Sequence, residues 1–211
     1  MPHKTIAIAG IHTGTGKTVV SAILTEAFGA DYWKPVQAGI NERDLDFVKA
    51  HITNNCSKLH PEQYLLTQPL SPHQAAAIDG VEIAIKGFAF PETDNNLIVE
   101  TAGGVLSPIC ANATMADFIA YYKLPLILVA NNYLGSINHT LLSIEALRSR
   151  GLTLLGLVIN GAPNPASESF IEQYAKVPIL ARVPDFEILD RSSIIKYAQT
   201  IKQGLLADIF K

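Results

Sequence analysis

Cysteine and tryptophan are scarce in this chain. Its 211 residues include two cysteines, Cys56 and Cys110, and one tryptophan, Trp33. Two cysteines without metal-type spacing exclude a disulfide scaffold and a cysteine-built zinc site. They fit reduced thiols in a cytosol. An excess of charge is missing too: 16 Lys and Arg against 19 Asp and Glu leave a net charge of -3. That gives no electrostatic basis for binding nucleic acid or an anionic membrane. No apolar run reaches the ~18 residues of a membrane-spanning helix, and no signal-peptide pattern precedes the first apolar run. Repeats, low-complexity stretches and linkers are absent. The expectation is one cytoplasmic domain over residues 1–211, whose 48% hydrophobic content suffices for a large core.

What the chain does have is alternation. Short apolar runs at Thr5 to Ala9, Leu97 to Glu100, Leu126 to Ala130, Leu154 to Asn160 and Pro178 to Arg182 read as strands, and Tyr32 to Lys34 as a shorter one. Between them lie helical patterns at Lys17 to Phe28, Asp44 to His51, Ser71 to Ile78, Met115 to Tyr122 and Ser136 to Arg150. A last amphipathic helix is expected over Ser192 to Phe210, and Cys56 to Leu70 gives no clear pattern. Strands alternating with helices predict an α/β fold, a mainly parallel β-sheet flanked by helices. Polar residues gather where strands end, the edge at which open α/β sheets bind ligands.

The strongest local signal is Gly10-Ile-His-Thr-Gly-Thr-Gly16-Lys17-Thr18, between an expected strand and an expected helix. That context marks a P-loop NTPase architecture. Backbone N–H groups of Gly14, Thr15 and Gly16 would cradle phosphates, and Lys17 would reach the β/γ-phosphates. Thr18 would ligate Mg²⁺. Five residues separate Gly10 from Gly16, one more than in the usual loop. This spacing suits the branch containing partition ATPases and ATP-dependent ligases. Partition ATPases carry a signature lysine near the loop's start, where His12 stands here.

Other positions read less sharply by themselves. Lys34, before Pro35, can offset charge on a reacting anion or be a plain solvated lysine at a strand end. Glu100 ends a buried strand and precedes Thr101-Ala-Gly-Gly104, and a Mg²⁺ site needs such a carboxylate. Asp44 and Asp46 are each a candidate second ligand or an ordinary helix-start acid. Asn160 either hydrogen-bonds a purine edge or sits in an exposed turn. His73 and His139 have no partner spaced for metal binding.

In order and spacing these segments resemble the dethiobiotin synthetase family over nearly the whole chain. The matching stretches are Gly10 to Thr18, Lys34-Pro-Val-Gln-Ala-Gly39, Ser71-Pro-His-Gln-Ala75 and Glu100-Thr-Ala-Gly-Gly104, then Leu134-Gly-Ser-Ile-Asn-His139 and Gly156 to Asn160. The resemblance implies that ATP and Mg²⁺ drive closure of a ureido ring from CO₂ and 7,8-diaminononanoate, through a carbamate and a carbamic–phosphoric anhydride. It makes Lys17, Lys34 and Thr13 catalytic. ATP would be held by Gly14 to Val19, with Asn160, Val183 and Pro184 around adenine. Thr18, Asp46 and Glu100 would hold Mg²⁺, Asp46 being preferred to Asp44 because it directly precedes Phe47-Val48. Thr13, Lys34, Ala38, Ser71 and Pro72 would line the substrate site. Gly135, Ser136, Ile137 and Asn138 would bind the substrate carboxylate from the other subunit of a homodimer. The chain departs from the family pattern at His12, Gly14, Ala38 and Thr101, none of which removes a lysine or a metal ligand. A glutaminase-linked cobyrinate-type ligase has no room here. A regulatory P-loop ATPase that dimerises on nucleotide is the alternative reading, and it should show the signature lysine.

Overall fold

The computed structural model describes residues 3–210. In chain order the first half contains β1 (Thr5–Gly10), α1 (Lys17–Phe28), β2 (Asp31–Trp33), β3 (Val36–Ala38), α2 (Asp44–His51), β4 (Leu59–His60), β5 (Tyr64–Leu66) and α3 (Pro72–Asp79). Next come β6 (Leu97–Gly104), β7 (Pro108–Cys110), β8 (Ala113–Thr114), α4 (Met115–Tyr121), β9 (Leu126–Ala130) and α5 (Ser136–Arg148). The chain continues with β10 (Leu154–Asn160), α6 (Pro165–Ala175), β11 (Ile179–Val183), α7 (Arg191–Ile201) and α8 (Leu205–Phe210).

Seven strands form one sheet in the order β11-β10-β9-β1-β6-β2-β4, and every pairing within it is parallel. The sheet is buried on both faces, which is why its strands read as continuous apolar runs. Side chains alternate along β1. Ile6 and Ile8 join Val20, Ile23 and Leu24 of α1, with Ile194 and Ala198 of α7. Ala7 and Ala9 face Phe118 of α4, Ile144 and Leu147 of α5, and Ile171 of α6. Each fully buried Ile or Leu contributes about 2 kcal/mol, so the two apolar layers hold the helices on opposite faces. From β1 the chain leaves toward β2 on one side and later fills β9 to β11 on the other. The strand order therefore reverses beside β1, placing the Gly10–Gly16 loop at the switch point.

Besides the short strands β3, β7 and β8, which were not expected, three segments differ from the sequence reading. The strand expected to stop at Glu100 continues to Gly104, because a register shift between Ile8 and Gly10 lets β6 follow β1 further. Thr101 fits there by donating its hydroxyl to the Ile8 carbonyl at 3.2 Å. The terminal helix is two helices, α7 and α8, separated at Gly204. The break swings Phe210 onto Phe28 of α1, with ring centroids 4.4 Å apart. Helix α6 was not anticipated, although Asn164-Pro165 carries its start signal. The Asn164 side chain accepts from Ser167 N, and Pro165 occupies the first turn. Among the described residues no helix is long and apolar enough to cross a membrane.

Candidate active site

The loop after β1 turns through Gly14 at φ +85° and Gly16 at φ +86°, both left-handed. Gly16 is required twice over: the conformation favours glycine, and a Cβ there would stand 2.2 Å from Asn160 Nδ2. Asn160 at the end of β10 thus lies directly against the phosphate loop. Gly104 is similarly constrained, since a Cβ would meet the Ile11 carbonyl and His12 Cα at 3.1 Å. The Lys17 ammonium folds back over the loop, 3.2 Å from where a Gly10 Cβ would be.

Around Lys17 the charged groups converge. The Thr18 hydroxyl donates to Glu100 Oε1 at 2.9 Å and to Asp44 Oδ1. Lys34 Nζ pairs with Asp44 Oδ2 and lies 3.6 Å from Glu100 Oε1. The Tyr32 hydroxyl donates to Glu100 Oε2 at 3.0 Å, and Gln37 Oε1 accepts from Asp44 N at 3.4 Å. β2 runs beside β6 with Trp33 opposite Val99, which carries Lys34 beside Glu100. Glu100 is 1% exposed and Lys34 8%.

Burial pulls the Lys17 pKa down to about 8, and Lys34 adds to that pull against Glu100 and Asp44. Burial also works against a charged Lys34, but Glu100 and Asp44 outweigh it and hold its pKa above the ordinary lysine value. Tyr32 is driven well above the ordinary phenol range by burial and by the neighbouring Glu100 carboxylate, so it serves as a hydrogen-bond donor.

A cavity of about 790 Å³ opens over this cluster, bordered by Thr13, Gly14, Lys17, Thr18, Val19, Lys34, Ala38, Asp44, Ser71 and Glu100. The structure therefore brings the phosphate loop, Lys34, Ala38, Ser71 and Glu100 around one cavity. The structure does not bring Asp46 to the cavity; Asp44 stands in the place expected of it. The Asp46 side chain is 64% exposed, and its charged neighbour is Arg43, 3.9 Å away. The reason is helical phase. Asp44 starts α2 with its carboxylate toward the sheet edge, and two residues later the same helix faces outward.

Other expected positions lie outside this cavity. Pro72 is buried in the first turn of α3 beside Ser71. Asn160 and Val183 are register partners, and Gly161 N donates to the Val183 carbonyl at 2.8 Å. Pro184 borders a separate hollow with Phe186 and Tyr197. Gly135, Ser136, Ile137 and Asn138 form the start of α5 and do not border the Lys17 cavity. One turn later His139 borders an adjoining apolar cavity of about 540 Å³ with Leu106 and Leu142. Tyr32, Gln37 and Ser107 were given no role in the sequence reading. Tyr32 was findable: a period of two puts it on the same strand face as Lys34.

Two carboxylates and a hydroxyl fit a hard, oxygen-seeking cation that takes its remaining positions from phosphate and water. Among the described residues no cluster of three His, Cys, Asp or Glu forms a metal cage, the donor set expected when phosphates complete the coordination.

Comparison with known proteins places the fold and the family. A family model described as an AAA domain matches residues 4–193. The fold resembles that of a plasmid partition protein from Borrelia burgdorferi bound to AMPPNP, with TM-score 0.60, 15% identity and coverage of 98% of this chain and 99% of that one. It also resembles the septum site-determining protein MinD of Pyrococcus horikoshii in complex with Mg-ADP, with TM-score 0.57, 17% identity and coverage of 99% of each chain. In sequence the chain is 43% identical to the ATP-dependent dethiobiotin synthetase of Christiangramia forsetii over 96% of its own length and 98% of that protein's. It is 44% identical to the enzyme of the same name from Chlamydia pneumoniae, over 94% of this chain and 89% of that one. With such identity over nearly the whole of this chain and of its relatives, the chain belongs to the dethiobiotin synthetase family.

Proposed function

We propose that this protein is an ATP-dependent dethiobiotin synthetase, which closes a ureido ring from CO₂ and the two amines of 7,8-diaminononanoate in biotin biosynthesis. The convergence of Lys17, Lys34, Thr18, Asp44 and Glu100 in one cavity is the observation that carries this reading. One substrate amine adds to CO₂ and loses a proton, giving a carbamate. A carbamate oxygen attacks the γ-phosphorus and displaces ADP, giving a carbamic–phosphoric anhydride. The second amine attacks the carbonyl carbon, and inorganic phosphate leaves with the C–O bond's electron pair.

Each of these species is anionic, so the protein's work is positioning and charge compensation. Loop N–H groups from Gly14 to Gly16 and the Lys17 ammonium hold the β- and γ-phosphates. Lys34, kept protonated by Asp44 and Glu100, faces the carbamate and the transferring phosphoryl group. Thr13 on the cavity rim orients the carbamate, with Ala38, Ser71 and Pro72 behind the substrate. Thr18, Asp44 and Glu100 would hold Mg²⁺, whose charge would offset part of that of the phosphates at a site where two lysines balance two carboxylates. Val19 follows the phosphates, and Asn160 with Val183 and Pro184 borders the base.

The start of α5 is a natural carboxylate site, yet none of its residues borders the Lys17 cavity of its own chain. That separation, with Leu134 fully exposed and Leu142 59% exposed, supports a homodimer in which Gly135 to Asn138 complete the partner's site.

Incubation with labelled bicarbonate, the diamine, ATP and Mg²⁺ tests the reading. Acid-stable label should match phosphate release, and Lys34→Ala should abolish both. Phosphate release without label, indifferent to the diamine, would instead indicate a regulatory ATPase.

A further inference from the structure

Glu168 is 2% exposed, although it sits on α6 between half-buried Ser167 and exposed Ser169. Its carboxylate is a junction. Oε1 accepts from Asn132 Nδ2 at 2.9 Å and from Asn164 N at 2.9 Å. Oε2 accepts from Arg182 Nε at 2.6 Å. The same Asn132 amide also donates to the Ala162 carbonyl at 3.0 Å. One side chain thereby joins the loop after β9, the loop after β10 and the end of β11 at the carboxyl edge of the sheet.

These attachments bracket the nucleotide's surroundings. Ala162 and Asn164 follow Asn160 closely in the chain, and Arg182 directly precedes Val183. Asn160 lies on Gly16 of the phosphate loop, so a shift of the loop after β10 moves it relative to the phosphates. Stability alone does not call for this arrangement, because a well-packed apolar residue often serves a buried site as well as an ion pair. An ionised, multiply bonded carboxylate fixes direction, which apolar packing does not.

We propose that Glu168 is a positioning residue for nucleobase recognition: it holds the loops after β9 and β10 and the end of β11 so that Asn160 contributes to ATP affinity. The inference rests on the reading of Asn160 as a base contact. Burial works against the Glu168 charge, but the Asn164 N–H, Arg182 and Asn132 outweigh it and hold its pKa below the usual carboxylate value. The junction is thus charged at neutral pH.

Calorimetric titration with MgATP and, separately, with magnesium tripolyphosphate separates base from phosphate binding. The wild-type chain should bind ATP more tightly than tripolyphosphate. Glu168→Ala should weaken ATP binding about tenfold, the loss of a charged hydrogen-bond junction, and leave tripolyphosphate affinity unchanged. Glu168→Gln keeps the Oε1 acceptor and should recover most of the loss. Asn132→Ala should fall between the two, and these milder variants carry the comparison if Glu168→Ala does not fold. Parallel weakening of both ligands, or no change in ATP affinity, overturns the inference. A wild-type chain that binds the two ligands equally overturns the base reading of Asn160 and this inference with it. A wild-type chain that binds neither overturns the phosphate-loop reading itself.

Discussion

Lys17 carries its charge at a cost. Its pKa falls from 10.5 to about 8 on folding, so between those values the unfolded chain holds a proton that the folded chain has released. Stability therefore rises with pH through that window, and below about 8 the full penalty is present. Lys17→Met should stabilise the ligand-free protein at pH 7 by about 1–3 kcal/mol, and the gain should shrink as pH approaches 10. Thermal melts of both proteins across pH 7–10 check this; a gain that grows with pH would contradict it. The same charge is what phosphates require, so the stabilised variant should not bind ATP. Asp44 and Asp46 offer a second residue-level contrast. Asp44→Asn should lower Mg²⁺-dependent turnover on the order of 100-fold, whereas Asp46→Asn should leave it within about twofold because its carboxylate faces solvent. Glycine spacing and a nearby strand made Lys17 and Thr18 readable in sequence. The choice between two aspartates two residues apart depends on the rotation of α2, which the sequence leaves open.

Helix and strand boundaries were legible wherever the apolar rhythm was uninterrupted. β9, β10, α1 and α2 begin and end where the sequence suggested. Apart from α6, whose start signal at Asn164-Pro165 is local, the failures share a cause: interactions distant in the chain overrode the local pattern. β6 runs past Glu100 only because β1 shifts register beside it, and the terminal helix breaks so that Phe210 can reach Phe28. Strands β3 and β5 pair only with each other, and neither is long enough to announce itself. At this scale the phosphate loop makes a sharp prediction. Gly16→Ala would force a side chain onto Asn160 at a left-handed position, costing about 1 kcal/mol in backbone conformation alone. The protein should still fold, with circular dichroism near that of the wild type, but titration should detect no ATP binding. Normal affinity would mean that the loop relaxes away from Asn160.

For the molecule as a whole, the apolar cavity bordered by Leu106, His139 and Leu142 is the surface we assign to a second copy. Leu142→Asp should shift sedimentation from dimer to monomer and remove turnover, while ATP binding at the Lys17 site persists. A dimeric, active Leu142→Asp would remove that assignment. The order of strands has a further consequence, in time rather than space. β1 is central, yet its register partners start at Leu97 on one side and at Leu126 on the other. During synthesis β1 waits, its backbone groups unpaired, until the segment from Leu97 onward has been made. Central pairing between distant segments slows folding and prolongs exposure of sticky edges. The loop that would grip ATP is thus made well before the strands that flank it and can take its shape only after them.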